Sequence, residues 1–164
     1  MDTPEDAGEV PVSGSEAYRL TFVELEEDHL DAILDIEQEA YPEPWTIGMF
    51  REEIKGKRSF FWTAFLEEEV VGYAGYWLVL DEAHVTSLTV AEERRGQGFA
   101  FEQLRHLMDH IIQSGAQGVT LEVRETNDVA RHIYEKEGFE AVGKRKGYYS
   151  KTQEDAIIML KKLS

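Results

Sequence analysis

The run Leu88-Thr89-Val90-Ala91-Glu92-Glu93-Arg94-Arg95-Gly96-Gln97-Gly98-Phe99-Ala100 decides how this chain folds. Its first part is apolar and β-branched, its middle is charged and carries two glycines. Beyond it, Leu104, Leu107, Met108, Ile111 and Ile112 recur at helical spacing until Ser114-Gly115. The reading is a strand, a tight loop and a long helix. Such a junction suits an anion, because glycine permits positive φ and close backbone approach. The unpaired N–H groups and the dipole of a helix start both favour negative charge, and Arg94 and Arg95 add positive charge. An ordinary glycine turn would look much the same. The Gly-Lys-Ser/Thr ending of a P-loop is absent. The dinucleotide fingerprint needs three spaced glycines and an acidic residue ~20 positions on, and only Gly96 and Gly98 are present.

Toward the N-terminus, His84–Val90 alternates as a strand does, and Ser59–Leu66 and Val70–Leu80 are two further strand-like runs turning at 67–69. Before them, Thr46 caps a short helix bearing Met49, Phe50 and Ile54 that Gly56 stops. Pro42 and Pro44 separate it from an earlier helix, begun at Asp28 and running to about Ala40. A strand is expected at 18–23. Toward the C-terminus come a strand at Val119–Val123, a helix begun by Asn127 or Asp128 with Gly138 just past its end, and strands at Phe139–Lys144 and Asp155–Leu160. A loop holding Tyr148-Tyr149 joins the last two. Residues 1–17 read as a flexible acidic tail, and 18–164 as one domain without internal repeats. The class is α/β, antiparallel in its first half and with βα units later.

The 164 residues are enough to bury a core, and 42% are hydrophobic. The absence of cysteine excludes disulfides, zinc–thiolate sites and a cysteine nucleophile. A net charge of −16 argues against general nucleic-acid binding. It suits a soluble chain, or one drawn to a basic partner. No apolar run reaches the ~20 residues that span a bilayer, and the N-terminus lacks the apolar stretch of a signal peptide. A cytoplasmic location without membrane partners is the expectation. His106 and His110, four apart on a helix, have the spacing of a metal pair. With no HExxH glutamate or third ligand they read as a solvated face.

Three spaced segments carry a resemblance. Arg95-Gly96-Gln97-Gly98-Phe99-Ala100 resembles the Arg/Gln-x-x-Gly-x-Gly/Ala pyrophosphate signature of the GNAT superfamily of N-acetyltransferases. Leu121-Glu122-Val123-Arg124-Glu125-Thr126-Asn127, with Ala130, Tyr134 and Gly138-Phe139, resembles that superfamily's next conserved region. Tyr148-Tyr149 followed by Glu154-Asp155-Ala156-Ile157-Ile158-Met159 is similar to the RimI-like ribosomal-protein N-terminal alanine acetyltransferases. The resemblance runs from about Tyr18 to Leu160. It implies a GNAT fold: a single mixed sheet of about seven strands flanked by about four helices.

The resemblance also implies roles. Acetyl-CoA is the acetyl donor, with no metal. The loop Arg95, Gly96, Gln97, Gly98, Phe99 and Ala100 holds its pyrophosphate, and Leu88, Thr89 and Val90 pair with its pantetheine arm. The Val90 N–H faces the thioester oxygen. Asn127 bonds the pantetheine, caps the helix, or does both.

An α-amine is largely protonated at neutral pH and must lose a proton to attack. Glu122 matches the family's general base, against the plainer reading of an ion pair with Arg124 on the same strand face. Tyr134 matches the proton donor to the leaving thiolate, against the plainer reading of a core aromatic. Glu43, Trp45, Tyr148 and Tyr149 are candidate walls of a peptide groove. The stretch between Tyr149 and Glu154 is shorter than in the RimI-like enzymes, a departure on one wall of that groove. The implied acceptor is a protein N-terminus, a ribosomal protein being one candidate. A lysine or small amine, and a non-catalytic acyl-CoA-binding module, are the alternatives. Monomer and homodimer are both open.

Overall fold

The computed structural model describes residues 18–163, so the tail expected at 1–17 lies outside the described residues. The element order is β1 (Thr21–Glu24), α1 (Leu30–Ala40), α2 (Ile47–Lys55), β2 (Ser59–Leu66), β3 (Glu69–Val79), β4 (Glu82–Val90), α3 (Phe99–Gln113), β5 (Gly118–Arg124), α4 (Asp128–Lys136), β6 (Glu140–Tyr149) and β7 (Glu154–Lys162). The seven strands form one mixed sheet in the order β1-β2-β3-β4-β5-β7-β6. Every pairing is antiparallel except β4 with β5. This is the seven-stranded, four-helix architecture that the sequence led us to expect.

Local chemistry explains most boundaries. Thr46 caps α2, its hydroxyl accepting the Met49 N–H at 3.2 Å, and Gly56 closes it. Asn127 caps α4 by accepting the Ala130 N–H at 3.1 Å. Gly138 follows in a left-handed conformation, φ 103°. Asp28 does not cap α1. It lies in a 3-10 turn, Glu27–His29, entered through a reciprocal Glu26–His29 capping arrangement. β6 is longer than expected and takes in Tyr148-Tyr149. Its residues are nearly all exposed, so no apolar alternation announces it, and pairing with β7 is what extends it.

Two cores flank the sheet. Leu104, Leu107, Met108 and Ile111 of α3 and Ala130, Ile133 and Tyr134 of α4 pack with Leu88, Val90, Leu121 and Val123. Leu30, Ile33 and Ile36 of α1 and Phe50 of α2 pack with Phe61 and Tyr73. His106 and His110 are not a solvated face. His106 stacks on Phe22 with ring centroids 4.2 Å apart, Trp62 meets both rings edge-on, and His110 Nδ1 lies 2.6 Å from the Tyr76 hydroxyl. Strands β1, β2 and β3 supply the aromatic cover, which the helical spacing alone does not reveal. No group of metal-ligating side chains is found among the described residues.

Candidate active site

The site begins where the only parallel ladder among the described residues stops. Strands β4 and β5 pair over three rungs, Glu82↔Gly118, Ala83↔Val119 and His84↔Thr120, and then part company. At the same place β4 carries an extra residue. Gly75 lies opposite Ser87 and Tyr76 opposite Val85, so Thr86 is a β-bulge without a partner on β3. The bulge bends β4 away from β5 and opens the sheet.

Beyond the bulge, β4 stays on β3. Ala91 donates its N–H to the Val71 carbonyl at 2.8 Å, which makes Gly72↔Val90 a non-hydrogen-bonded pair. The N–H and C=O of Val90, and by alternation those of Leu88, therefore face away from β3 into the opening. Thr89 points elsewhere. Its hydroxyl lies 2.6 Å from the Tyr41 hydroxyl, and its carbonyl accepts from Gln103 at 2.8 Å.

The glycine loop follows. Gly96 and Gly98 have φ of 79° and 81°, values that glycine adopts without strain. A Cβ on Gly96 would meet nothing within 4 Å, so the space above it is open. The N–H groups opening α3 have no partner within the helix. The Gln97 carbonyl accepts from Arg19. The two arginines of the loop are partly committed: Arg94 pairs with Glu69, Nε to Oε2 2.9 Å, and Arg95 Nε reaches the Val90 carbonyl at 3.4 Å.

On the other side of the opening lies a cleft of about 550 Å³. Among its lining are Glu43, Trp45, Glu122, Tyr148 and Tyr149, together with Glu37, Tyr41, Trp77, His84 and Thr86. Leu121 and Val123 point into the α3/α4 core, so Glu122 between them points the opposite way, into the cleft. Its partner is His84, Nε2 to Oε1 3.2 Å, and not Arg124. Arg124 turns to Glu154 at 2.9 Å and lies 3.9 Å above the Tyr149 ring. Burial alone would raise the Glu122 pKa. The hydrogen bond and charge of His84, helped by Arg145, outweigh it and hold the carboxyl below its ordinary value.

Tyr134 lies outside the cleft lining and is fully buried, its ring 5.9 Å from Phe139 in the core beneath Leu88 and Val90. Glu43 bridges the cleft, accepting from Ser150 Oγ at 2.9 Å and the Lys151 N–H at 2.7 Å. Trp45 packs half-buried against Phe50, 5.1 Å between rings. Tyr148 and Tyr149 meet edge-on at 5.1 Å, with Tyr148 exposed.

Glu37 is a site residue that sequence reasoning missed. Its buried carboxylate accepts the Trp45 N–H at 2.9 Å and the Tyr73 hydroxyl, and burial raises its pKa. A carboxylate four residues after Ile33, in the apolar stripe of α1, was the available signal.

A parallel strand pair splays at a bulge next to a glycine loop opening a helix. Residues 30–139 match the family described as acetyltransferase (GNAT) family. The chain belongs to the GNAT family of acetyltransferases.

This GNAT chain is 31% identical over 133 residues to the putative ribosomal protein bS18-alanine N-acetyltransferase of Bacillus subtilis (strain 168), covering 80% of this chain and 88% of that one. It superposes on the crystal structure of the ribosomal-protein-S18-alanine N-acetyltransferase from Escherichia coli with TM-score 0.81 at 33% identity, covering 88% of this chain and 94% of that chain. It shares its fold with Arabidopsis thaliana NAA60 in complex with acetyl-CoA, TM-score 0.79 at 18% identity, covering 88% and 98%. As a GNAT acetyltransferase it uses acetyl-CoA, and the donors around the opening fit that molecule. Outward N–H groups at the glycine loop suit a pyrophosphate, and the free edge of β4 suits an amide-bearing arm. No helix among the described residues is long and apolar enough to cross a membrane.

Proposed function

We propose that this enzyme transfers acetyl from acetyl-CoA directly to the N-terminal α-amine of a protein, with the alanine of ribosomal protein bS18 as its leading substrate. The observation that carries the reading is the placement of Glu122: a carboxylate held ionised at the mouth of the β4–β5 opening, inside a peptide-sized cleft. The likeness to the Bacillus subtilis and Escherichia coli enzymes supports the choice of acceptor.

The N–H groups of the glycine loop, residues 95–100, receive the pyrophosphate, and Leu88 to Val90 align the arm along β4. Acetyl-CoA supplies an acyl thioester. The peptide enters between the Glu43-Trp45 loop and Tyr148-Tyr149 with its α-ammonium toward Glu122. Glu122 accepts a proton from that ammonium, and the freed nitrogen lone pair adds to the carbonyl carbon to give a tetrahedral adduct. The Val90 N–H stabilises the charge that develops on the oxygen. The adduct loses its second nitrogen proton to water and collapses as the carbon–sulfur bond breaks. Tyr134 donates its phenolic proton to the leaving sulfur, approaching from the core face while Glu122 works from the cleft face, and solvent protons restore the phenol as Glu122 releases its own. Asn127 holds the start of α4, and so the approach of Tyr134.

The test is mass spectrometry of peptides incubated with acetyl-CoA. One has a free N-terminal alanine, others vary that residue, and one has a blocked α-amine and a free lysine. Acetylation of α-amines alone is expected. Acetylation of lysine alone overturns the reading.

A further inference from the structure

His84 sits at the last rung of the β4–β5 ladder, opposite Thr120. From there its ring makes two contacts along one face of β5. Nδ1 lies 3.0 Å from Thr120 Oγ1, and Nε2 lies 3.2 Å from Glu122 Oε1. Thr120 and Glu122 are two apart on a strand and share a face. One imidazole therefore spans the point where the strands separate, anchored on the paired side and reaching the first outward-facing side chain on the open side.

The hydrogens of this chain follow from its chemistry. A carboxylate only accepts, so the nitrogen facing Glu122 carries the proton. A hydroxyl both donates and accepts and can rotate. Thr120 thus donates to Nδ1 when the ring is neutral, and accepts from it when the ring is charged. The donor aimed at Glu122 survives in either state.

Glu122 has a competitor for its charge. Arg145 of β6 attracts the same carboxylate, and Tyr148 faces it across the cleft. Three side-chain torsions would let an untethered Glu122 swing toward Arg145 and away from the opening. On the far side of His84 stands Trp77 of β3, ring centroids 6.3 Å apart. The Trp77 indole N–H is in turn held by Glu53 of α2 at 2.6 Å. The imidazole is thereby backed by one strand and pinned to another.

We propose that His84 is a positioning residue for acetyl transfer: braced by Thr120, it fixes the Glu122 carboxylate at the mouth of the β4–β5 opening. His84 acts through Glu122 and touches no reacting atom. The inference rests on Glu122 being the base.

The experiment compares His84→Ala, His84→Gln, Glu122→Gln and the double variant His84→Ala/Glu122→Gln, using acetyl-CoA and a synthetic peptide with a free N-terminal alanine. Thermal melts and acetyl-CoA binding establish that each is folded. His84→Ala is expected to lower kcat by roughly ten- to hundredfold with both KM values within about twofold. It is also expected to move the lowest-pH break of log kcat/KM upward, since Glu122 keeps its burial and loses its donor. His84→Gln, which restores an N–H donor, recovers most of the rate. The double variant is no slower than Glu122→Gln alone.

Full activity and an unmoved break in folded His84→Ala overturn the proposal while leaving the base assignment standing, provided Glu122→Gln is inactive. So does a loss confined to peptide KM, or a double variant whose losses multiply. Full activity of Glu122→Gln would instead overturn the base assignment, and with it this inference. Should His84→Ala fail to fold, the pH break and rate of His84→Gln and Thr120→Val carry the same decision.

Discussion

The Glu43 carboxylate accepts the Lys151 N–H at 2.7 Å, joining two turns that lie 108 residues apart. Ser150 Oγ adds a bond at 2.9 Å, and the Lys151 ammonium reaches back to the Pro42 carbonyl at 3.2 Å. The α1–α2 loop and the β6–β7 turn, the two walls of the cleft, are thus latched together. The Lys151 N–H, then Ser150, hold the Glu43 pKa below its ordinary value. The latch is accordingly complete above the unfolded carboxylate pKa, and is lost as pH falls through the lower folded one.

Glu43→Ala removes the latch at a solvent-exposed place. Its expected effect is on peptide handling: KM for an N-terminal peptide rises severalfold, while KM for acetyl-CoA and the melting temperature stay near wild type. Steady-state kinetics with each substrate varied in turn, beside a thermal melt, check this.

Gly98→Ala is expected to weaken acetyl-CoA binding. At φ 81° an L side chain is strained by roughly 1–2 kcal/mol, and relief of that strain rotates the first N–H groups of α3. Isothermal titration with acetyl-CoA should show a Kd raised about tenfold with peptide KM unchanged.

Gly72→Ala tests the backing of the donor strand. A Cβ there would lie 2.5 Å from the Thr89 carbonyl oxygen and 2.9 Å from Gln103 Nε2, the two atoms that bond each other at 2.8 Å. The Thr89 carbonyl is backbone and cannot yield without moving β4. A stability loss of about 1–3 kcal/mol is expected by urea unfolding, together with impaired turnover.

Glu122→Gln and Tyr134→Phe keep size and remove one proton-transfer group each. Each is expected to lower kcat by about 10²–10⁴-fold. Because the peptide enters as its ammonium and Glu122 stays ionised below the ordinary carboxylate range, wild-type kcat/KM should stay level on acidification through the amine's ordinary ~7.7–8.0 and fall only as Glu122 itself takes a proton. A pH–rate profile with N-terminal peptides of different amine basicity shows whether the break moves with the amine.

His106 gives a pH dependence of folding. Burial, helped by the neighbouring His110, pushes its pKa from 6.5 down to about 4. The folded protein binds fewer protons than the unfolded chain in that window, so stability is full above 6.5 and falls as pH drops toward 4. The loss is about 2 kcal/mol after allowing for partial exposure. His106→Gln should flatten the difference between unfolding curves at pH 7 and pH 5.

Much of this was legible because it is local. The Thr46 and Asn127 caps, the stops at Gly56 and Gly138, and the strand-loop-helix run around Gly96 and Gly98 each depend on residues within a few positions. Glu122, Tyr148 and Tyr149 could be named from pattern, and they meet around one cleft. The start of α1 was misplaced at Asp28 because a 3-10 turn and a glutamate–histidine cap compete there. The length of β6 was underestimated because its support comes from β7 and not from its own pattern.

The sequence by itself determined the order of elements, the α/β class, the glycine loop that opens α3 and the family resemblance. Their causes are dihedral preference, capping and periodicity, all short-range. Only the tertiary structure decided that Glu122 answers to His84 and not to Arg124, that Thr86 bulges where β4 leaves β5, that Glu37 lies buried under Tyr73, and that Glu43 latches the cleft. Those relations join residues tens of positions apart in sequence, and the long-range pairing of strands is what brings them within bonding distance.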